Sequence, residues 1–538
     1  MVGLRGQIAR LGPKMSAWRN HRRVARIASA VEANAPSDLV SAPVVFFNAS
    51  TRLVDLSLNA AFSLLSSWGL RLAGTPVVNF VCHAGMTRCV LGTNPDDHRA
   101  PPPCNACTTQ SERIYIHSHA LRYVYERDHE LEITLDGLDL PGLKDFIHED
   151  IPLGQLCLPS LRWALRLHHL GDDELTCELY KAFMLSAWSV AQNFMKTLDQ
   201  RLPEVCVLFN GIMYPEAAAR WVAVRRGIRT ITHEVGFQPF SAFFTDGEAT
   251  AYPIDIPVDF ELNDDQNAKL DSYLGQRFKG DFTMAGIRFW PEMQSLDDDF
   301  MTRAERFRQI VPVFTNVIFD TSQVHANQVF EHMFAWLDIV LELIQENPET
   351  LFVIRAHPDE KRGGKESRES VSAWVTRNRV HEFPNVQFID SQEHVSSYEL
   401  IQRAKYVMVY NSSIGLEATL LGTAVLCGGK ARYTQYPAVF LPISPQAYKA
   451  KAQDFLEMET ATVPEEFVRN ARRFLFYQLF RSSLSFKPYL KESKRPGFVE
   501  LQDFPWWQLA PEQSPVMRAI VNGVLHAEPF FVNHDAIT

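Results

Sequence analysis

Two stretches of the second half place ionisable and small polar residues directly behind apolar runs. In the first, the run Leu351 to Ile354 ends in Arg355, His357 and Pro358, with Lys361 close behind. In the second, Tyr406 to Tyr410 gives way to Asn411, Ser412, Ser413, Gly415 and Glu417; Gly422 then closes a short helix and Ala424 to Cys427 starts another strand. A buried parallel strand reads as a continuous apolar run and delivers binding groups just past its carboxyl end. A helix that opens on Asn-Ser-Ser offers free N–H groups, hydroxyls and the positive end of its dipole to one point, which suits a phosphate. The plainer reading makes Ser412 or Ser413 a simple N-cap. The coincidence of this helix start with the Arg-x-His-Pro strand end favours the phosphate.

The first half carries two further sets. The strand Ile228 to His233 ends in His233 and Glu234, and a carboxylate at that edge can take the proton of an attacking hydroxyl. Asp246 and Glu248 form a second acidic candidate, and Asp-Gly at 246–247 reads equally well as a turn. Cys82, Cys89, Cys104 and Cys107 follow a predicted strand, separated by a polar loop rich in Pro and Asp. Four thiolates gathered this way suit Zn²⁺ or an iron–sulfur cluster, with His83 as a spare ligand. Four reduced thiols or a regulatory disulfide are the alternatives, and the first Cys spacing is wider than that of a usual zinc knuckle.

These residues need parallel strands to position them. Strands at 42–47 and 75–82 with a helix at 53–72 between them, then strands at 205–209 and 228–234 around a helix at 215–226, argue for a sheet wound with crossover helices. Residues 110–205 read as a helical insertion, with amphipathic pieces at 161–167 and 181–188. Winding restarts at Val311 and continues through a helix at 328–345. Gly363 and Gly364, between Lys361 and Lys365, read as a flexible basic loop. Glu465 to Arg481 reads as an aromatic-rich amphipathic helix, and Phe504 to Trp507 as packing against the first domain. The expected fold class is α/β, with two Rossmann-like domains facing a central cleft. The expected division is a basic arm at 1–39, a first domain at 40–255, a connection at 256–305, a second domain at 306–460 and terminal helices at 461–538.

A chain of 538 residues exceeds one hydrophobic core, and 46% apolar with 22% charged residues is ordinary globular composition. The net charge of −10 provides no global field for nucleic acid. Apolar runs are too short for a transmembrane span, and the N-terminus lacks a signal peptide's apolar core, so the expected location is the cytoplasm. Every charged residue from Met1 to Arg26 is basic, and Leu4, Ile8, Leu11, Met15 and Trp18 recur at helical spacing, broken by Gly12-Pro13. This arm is solvated or packed on the domain; contact with an anionic membrane surface is the alternative.

Arg355-Ala-His357-Pro358, then Asn411-Ser-Ser with Gly415 and Glu417, then Gly422 and Gly428, resemble the nucleotide-binding half of capsule and surface polysaccharide biosynthesis proteins. Thr315-Asn316 with Asp320 extends the resemblance, and Gly211 and His233-Glu234-x-Gly236 carry it more weakly into the first half. It implies a two-domain B-type glycosyltransferase fold with terminal helices crossing back to the first domain. It also implies a nucleotide-sugar donor and a glycan or lipid-linked acceptor; the net charge already argues against a nucleic acid partner. The donor phosphate would meet Ser412, Ser413, Gly415, Arg355, His357 and Lys361, with Thr315, Asn316 and Asn411 nearby and Glu417 on the ribose. Without a strong Asp-x-Asp signature, no catalytic metal is expected. A nucleotide-sugar epimerase of similar fold, or a non-catalytic glycan-assembly protein, is the alternative.

Overall fold

A computed structural model describes residues 2–36, 41–49, 55–94, 96–279, 294–363, 366–495 and 497–532, with side chains of the N-terminal helix described from Ser16 onward. Gly364 and Lys365 of the expected basic loop, and the side chains of Leu4, Ile8, Leu11 and Met15, therefore lie outside the described residues. The chain divides into two compact units, residues 1–164, 170–252 and 479–538 forming the first and residues 165–169 and 253–478 the second.

The first unit is built on β1 (Val44–Asn48), β2 (Val77–Cys82), β3 (Ala120–Tyr123), β4 (Val205–Phe209), β5 (Arg229–Val235) and β6 (Ser241–Asp246). Their order is β6-β5-β4-β1-β2-β3, and the two-residue strand Leu484–Ser485 extends the β6 edge. The five strands from β3 to β5 run parallel, and β6 returns antiparallel to β5. Apolar residues fill β1 without alternation because helices cover both faces. Helix Leu58–Leu72 buries Phe62, Leu65 and Trp68 on one side, while Phe194 of helix Glu174–Arg201 packs edge-on against Phe47 and Phe80 on the other.

The second unit holds β7 (Gln309–Phe314), β8 (Thr350–Arg355), β9 (Val386–Ile389), β10 (Val407–Val409) and β11 (Val425–Cys427), all parallel, in the order β11-β10-β7-β8-β9. Both units are thus Rossmann-like, each with its strand order reversing beside the first strand of its sheet. That reversal lies between β1 and β4 in the first unit and between β7 and β10 in the second, the places where open α/β sheets bind ligands.

Three expected boundaries move. The arm at 1–39 is no separate piece: one helix, Val2–Asn34, runs through Gly12-Pro13, and its Val24, Ile27, Ala28 and Val31 sink into the first unit's core. Arg23 pairs with Glu500 at 3.3 Å and Asn20 Oδ1 accepts the Leu501 amide at 2.8 Å, so the arm is domain-packed where its side chains are described. The connection at 256–305 belongs to the second unit, because helices Asp264–Phe278 and Asp298–Ala304 pack there. Of the terminal segment, 461–478 stays with the second unit and only 479–538 joins the first. In that segment Phe504 is buried and Trp506 packs against the core, whereas Trp507 is exposed. Among the described residues no helix is long and apolar enough to cross a membrane.

Candidate functional site

In the second unit, Thr315 and Asn316 follow β7 and Asn411, Ser412 and Ser413 follow β10, so the reversal itself brings these segments together. Asn316 Nδ2 donates to Asn411 Oδ1 at 2.6 Å, and Gln323 Nε2 reaches the same oxygen at 3.4 Å. The helix that follows, Ile414–Leu420, spans only seven residues. Its N-cap residue, Ser413, is exposed and makes no side-chain capping bond, so its hydroxyl is not spent on the helix. At the end of β8, His357 Nδ1 accepts the Asp359 amide at 3.2 Å. Accepting at Nδ1 puts the proton of the neutral ring on Nε2, which leaves that N–H to donate elsewhere. Desolvation holds His357 below the ordinary histidine pKa, with Asp359 and Asp320 acting against it.

Other expected donor-site residues are engaged inside the unit. Both Glu417 oxygens are occupied, one by Arg277 at 2.6 Å and the other by the Tyr398 hydroxyl at 2.5 Å, and all three residues are buried. A ribose role for Glu417 is therefore replaced by a buried ion pair. Arg355 turns inward: its guanidinium donates to the Val395 carbonyl, and burial pushes its pKa down to about 10. Thr315 is buried, with its hydroxyl on the Arg355 carbonyl at 3.0 Å. Lys361 grips both oxygens of Asp390, at 2.9 and 3.0 Å. Gly415 serves packing, since a Cβ there would sit 2.3 Å from the Tyr433 hydroxyl, which itself donates to the Ser412 carbonyl.

The first unit has a hollow of about 430 Å³, counting space open to solvent, at its own reversal. Asn48 at the end of β1 and Ala49 just past it, Ser57 and Asn59 at the start of helix Leu58–Leu72, Glu216 and His233 line it. Asn48 is fixed by Ser63, whose hydroxyl donates to its Oδ1 at 2.8 Å. Burial without a compensating charge pushes the His233 pKa down to about 3, so the ring is neutral at physiological pH. Its Nδ1 is buried and finds no hydrogen-bond partner among the described residues. His233, expected among the catalytic residues, is therefore too weak a base to take a proton and is suited to hydrogen bonding. Glu234, half-buried, receives the Asn59 and Asn210 side-chain amides at 3.5 and 3.4 Å.

Sequence reasoning missed Glu216. It lies in the first turn of helix Tyr214–Arg225, directly after the Asn210-Gly211 turn that ends β4, and burial pushes its carboxyl up to about 8. The available signal was its position one turn past a switch-point strand; Tyr214-Pro215-Glu216 reads merely as a helix start. Asp246 and Glu248 lie elsewhere. The turn after β5 reverses the chain, so β6 ends opposite Ile231 near the amino end of β5, at the far edge from the hollow. There Asp246 takes two bonds from Arg229, at 2.6 and 2.9 Å; Glu248, past the end of β6, pairs with Arg220 of helix Tyr214–Arg225 at 2.6 Å. Both expected catalytic roles are therefore corrected to ion pairing.

The four cysteines share one hollow. Cys82, Cys89, Cys104 and Cys107 line one hollow with Ala49, Met86, Pro102 and Pro103, and His83 is not part of that lining. Burial pushes Cys82 up to about 11 and Cys89 up to about 12. Among the described residues no three or more His, Cys, Asp or Glu are drawn together tightly enough to hold a single metal ion.

Two Rossmann-like units, each with a polar constellation at its switch point, define a protein of the doubly wound α/β class. Residues 276–436 match the family model described as capsule polysaccharide biosynthesis protein, so the resemblance carried by Arg355, His357 and the Asn411–Glu417 stretch holds there. Protein FixF of Sinorhizobium fredii (strain NBRC 101917 / NGR234) is 27% identical over 238 residues, 43% of this chain and 49% of FixF, so the chain spans about half the length of that relative. Among solved structures, KpsC of Thermosulfurimonas dismutans, a beta Kdo 2,4 transferase, aligns at 12% identity and TM-score 0.34 over 52% of this chain and 80% of its own. The UDP-GlcNAc 2-epimerase of Neisseria meningitidis aligns at 10% identity and TM-score 0.25 over 81% and 99%.

Proposed function

We propose that the protein is a glycosyltransferase that moves a sugar from a nucleotide-sugar donor to a growing surface glycan or related acceptor. The observation that carries this reading is the second unit's switch point. There the Asn316–Asn411 pair, the uncommitted Ser413 hydroxyl and the His357 Nε2–H lie past the carboxyl ends of β7, β10 and β8. Those donors suit the diphosphate of the leaving nucleotide, whose negative charge grows as the glycosidic bond breaks. The match of residues 276–436 to capsule polysaccharide biosynthesis proteins supports the same assignment.

In this reading the first unit binds the acceptor in the hollow that Glu216 and His233 line. His233 lines that hollow and its buried Nδ1 has no partner among the described residues, where buried polar groups are otherwise paired. Glu216 takes the acceptor hydroxyl's proton as that oxygen bonds to the sugar carbon. A carboxyl with a pKa near working pH is matched to this task. Glu234, held between Asn59 and Asn210, orients the acceptor at the rim.

The test is incubation of the full chain with labelled UDP-, CMP-, GDP- and CDP-sugars, with and without an acceptor glycan. Label transferred to the acceptor, with nucleotide released, is the expected result. A free epimerised nucleotide-sugar formed without acceptor would replace the transferase reading with an epimerase. Binding without consumption would indicate an assembly protein.

A further inference from the structure

Four of the eight cysteines, brought from three separate places in the sequence, meet at one hollow of about 400 Å³, counting space open to solvent. Cys82 is the last residue of β2, paired with Tyr123 of β3, so the sheet fixes its position. Cys89 opens a tight turn in which the Gly92 and Thr93 amides donate to its carbonyl at 3.2 and 2.9 Å. Cys104 and Cys107 occupy the first turn of helix Cys104–Ile114, three residues apart and therefore on one face. No side chain caps this helix start.

Two of the four sulfurs, those of Cys82 and Cys89, accept backbone amides. The Gly85 amide donates to Cys82 Sγ at 3.3 Å, and the Gly92 amide donates to Cys89 Sγ at 3.2 Å. The same Cys-x-x-Gly arrangement thus occurs twice, each sulfur accepting an N–H from the residue three positions on. A Cβ at position 92 would lie 2.6 Å from Cys89 Sγ, so the close approach of amide to sulfur requires glycine there. Hydrogen bonds to cluster-bound sulfurs are one of the means by which proteins set the properties of iron–sulfur centres. The intervening loop is fixed as well: the Arg88 guanidinium donates to the carbonyls of Thr87, His98 and Arg99 at 2.9, 3.2 and 2.9 Å.

A single zinc ion needs its four sulfurs about 2.3 Å from one point, and structural zinc sites commonly separate paired cysteines by two to four residues. Here six residues separate Cys82 from Cys89, and the sulfurs surround a hollow instead of converging on a point. A cluster brings its own irons and bridging sulfides and takes ligands spread farther apart than a single ion does. We propose that Cys82, Cys89, Cys104 and Cys107 are the four ligands of an iron–sulfur cluster. Its seat adjoins the acceptor-side hollow, since Ala49 lines both and Leu91, two residues past Cys89, lines the second. The cluster therefore fixes the loop that shapes one wall of that hollow. When a preformed cluster is taken up, each thiol releases one proton to solvent as its sulfur bonds to iron, and no electron is transferred.

The test uses the full chain purified without oxygen, and the same protein reconstituted with ferrous iron, sulfide and dithiothreitol. Equal amounts of iron and acid-labile sulfide, about two or four of each per chain, with broad visible absorption, are expected. Cys104→Ser and Cys107→Ser should lose most of the iron, whereas Cys177→Ser, outside the hollow, should keep it. Because a cysteine variant can fail by misfolding, the wild-type stoichiometry is the deciding measurement. About one zinc per chain with no iron would overturn the cluster. So would four freely titrating thiols, or a disulfide, in protein that takes up neither iron nor sulfide on reconstitution.

Discussion

The two units wind their parallel strands in the same order, yet they treat the polar residues at the point of reversal differently. In the second unit the charged groups near that point are largely neutralised from within: Glu417 by Arg277, and Asp390 by Lys361. What remains to donate outward is neutral, from Ser413 and the His357 Nε2–H. In the first unit the carboxylates Asp246 and Glu248 are held by Arg229 and Arg220, while Glu216 and His233 at the hollow have pKa values set by burial and not by a counter-charge. The winding decides where polar side chains gather. Whether they can do chemistry is decided by partners that arrive from distant parts of the chain. A unit that holds a charged leaving group needs fixed donors, and one that moves a proton needs a group free to change its charge.

The comparison breaks most sharply at Glu216. Glu216→Gln should lower transfer by about 10²–10⁴-fold while donor binding survives, the usual range for losing a positioned acid or base. Wild-type rate should rise with pH through about 8 as Glu216 ionises, and that limb should vanish in the variant. Its raised pKa also makes stability fall as pH climbs from the ordinary carboxylate range toward 8, because the unfolded chain ionises first. Glu216→Gln should therefore melt at a higher temperature than wild type in alkaline buffer and resemble it near pH 4. If Glu234→Gln abolishes turnover while Glu216→Gln remains active, the base is Glu234.

The contrary behaviour is expected in the second unit. Arg277→Met strands Glu417 in the interior without its partner, and breaking a buried pair this way costs about 3–5 kcal/mol. Chemical denaturation of the full chain should show that loss, and a variant as stable as wild type would mean that Glu417 is not held by the pair. His357→Ala, in contrast, should leave stability nearly unchanged and weaken donor binding by about 1.5–3 kcal/mol, the contribution of a hydrogen bond to a charged group. Calorimetric titration with the nucleotide-sugar measures it; an unchanged affinity would remove His357 from the phosphate site.

The winding was legible in the sequence because buried parallel strands leave continuous apolar runs, as at Leu351–Ile354 and Tyr406–Tyr410, that end abruptly in polar residues. The convergence of Asn316 on Asn411 followed from that winding. What was not legible was the destination of each side chain. Nothing local to Glu417 announces Arg277, which is 140 residues away. Glu216 was passed over because burial, which gives it its altered acidity, is a property of the packed unit and not of its neighbours in sequence. In the basic arm only the break was misread: Gly12-Pro13 predicts one, and the helix runs through it, with packing of Val24, Ile27 and Val31 holding its later turns in place.

The smallest effect tests the far edge of the first unit. The turn after β5 carries Asp246 back toward the amino ends of the parallel strands, where it faces Arg229 and solvent and not the hollow. The Asp246 side chain is 57% exposed, so the pair is screened by water and contributes at most about 1 kcal/mol. Asp246→Asn should therefore keep full transfer activity and lower stability by less than that. A dead but folded Asp246→Asn protein would return the catalytic base to the far edge, and with it would go the distinction between paired carboxylates that hold the sheet and the buried one that serves the hollow.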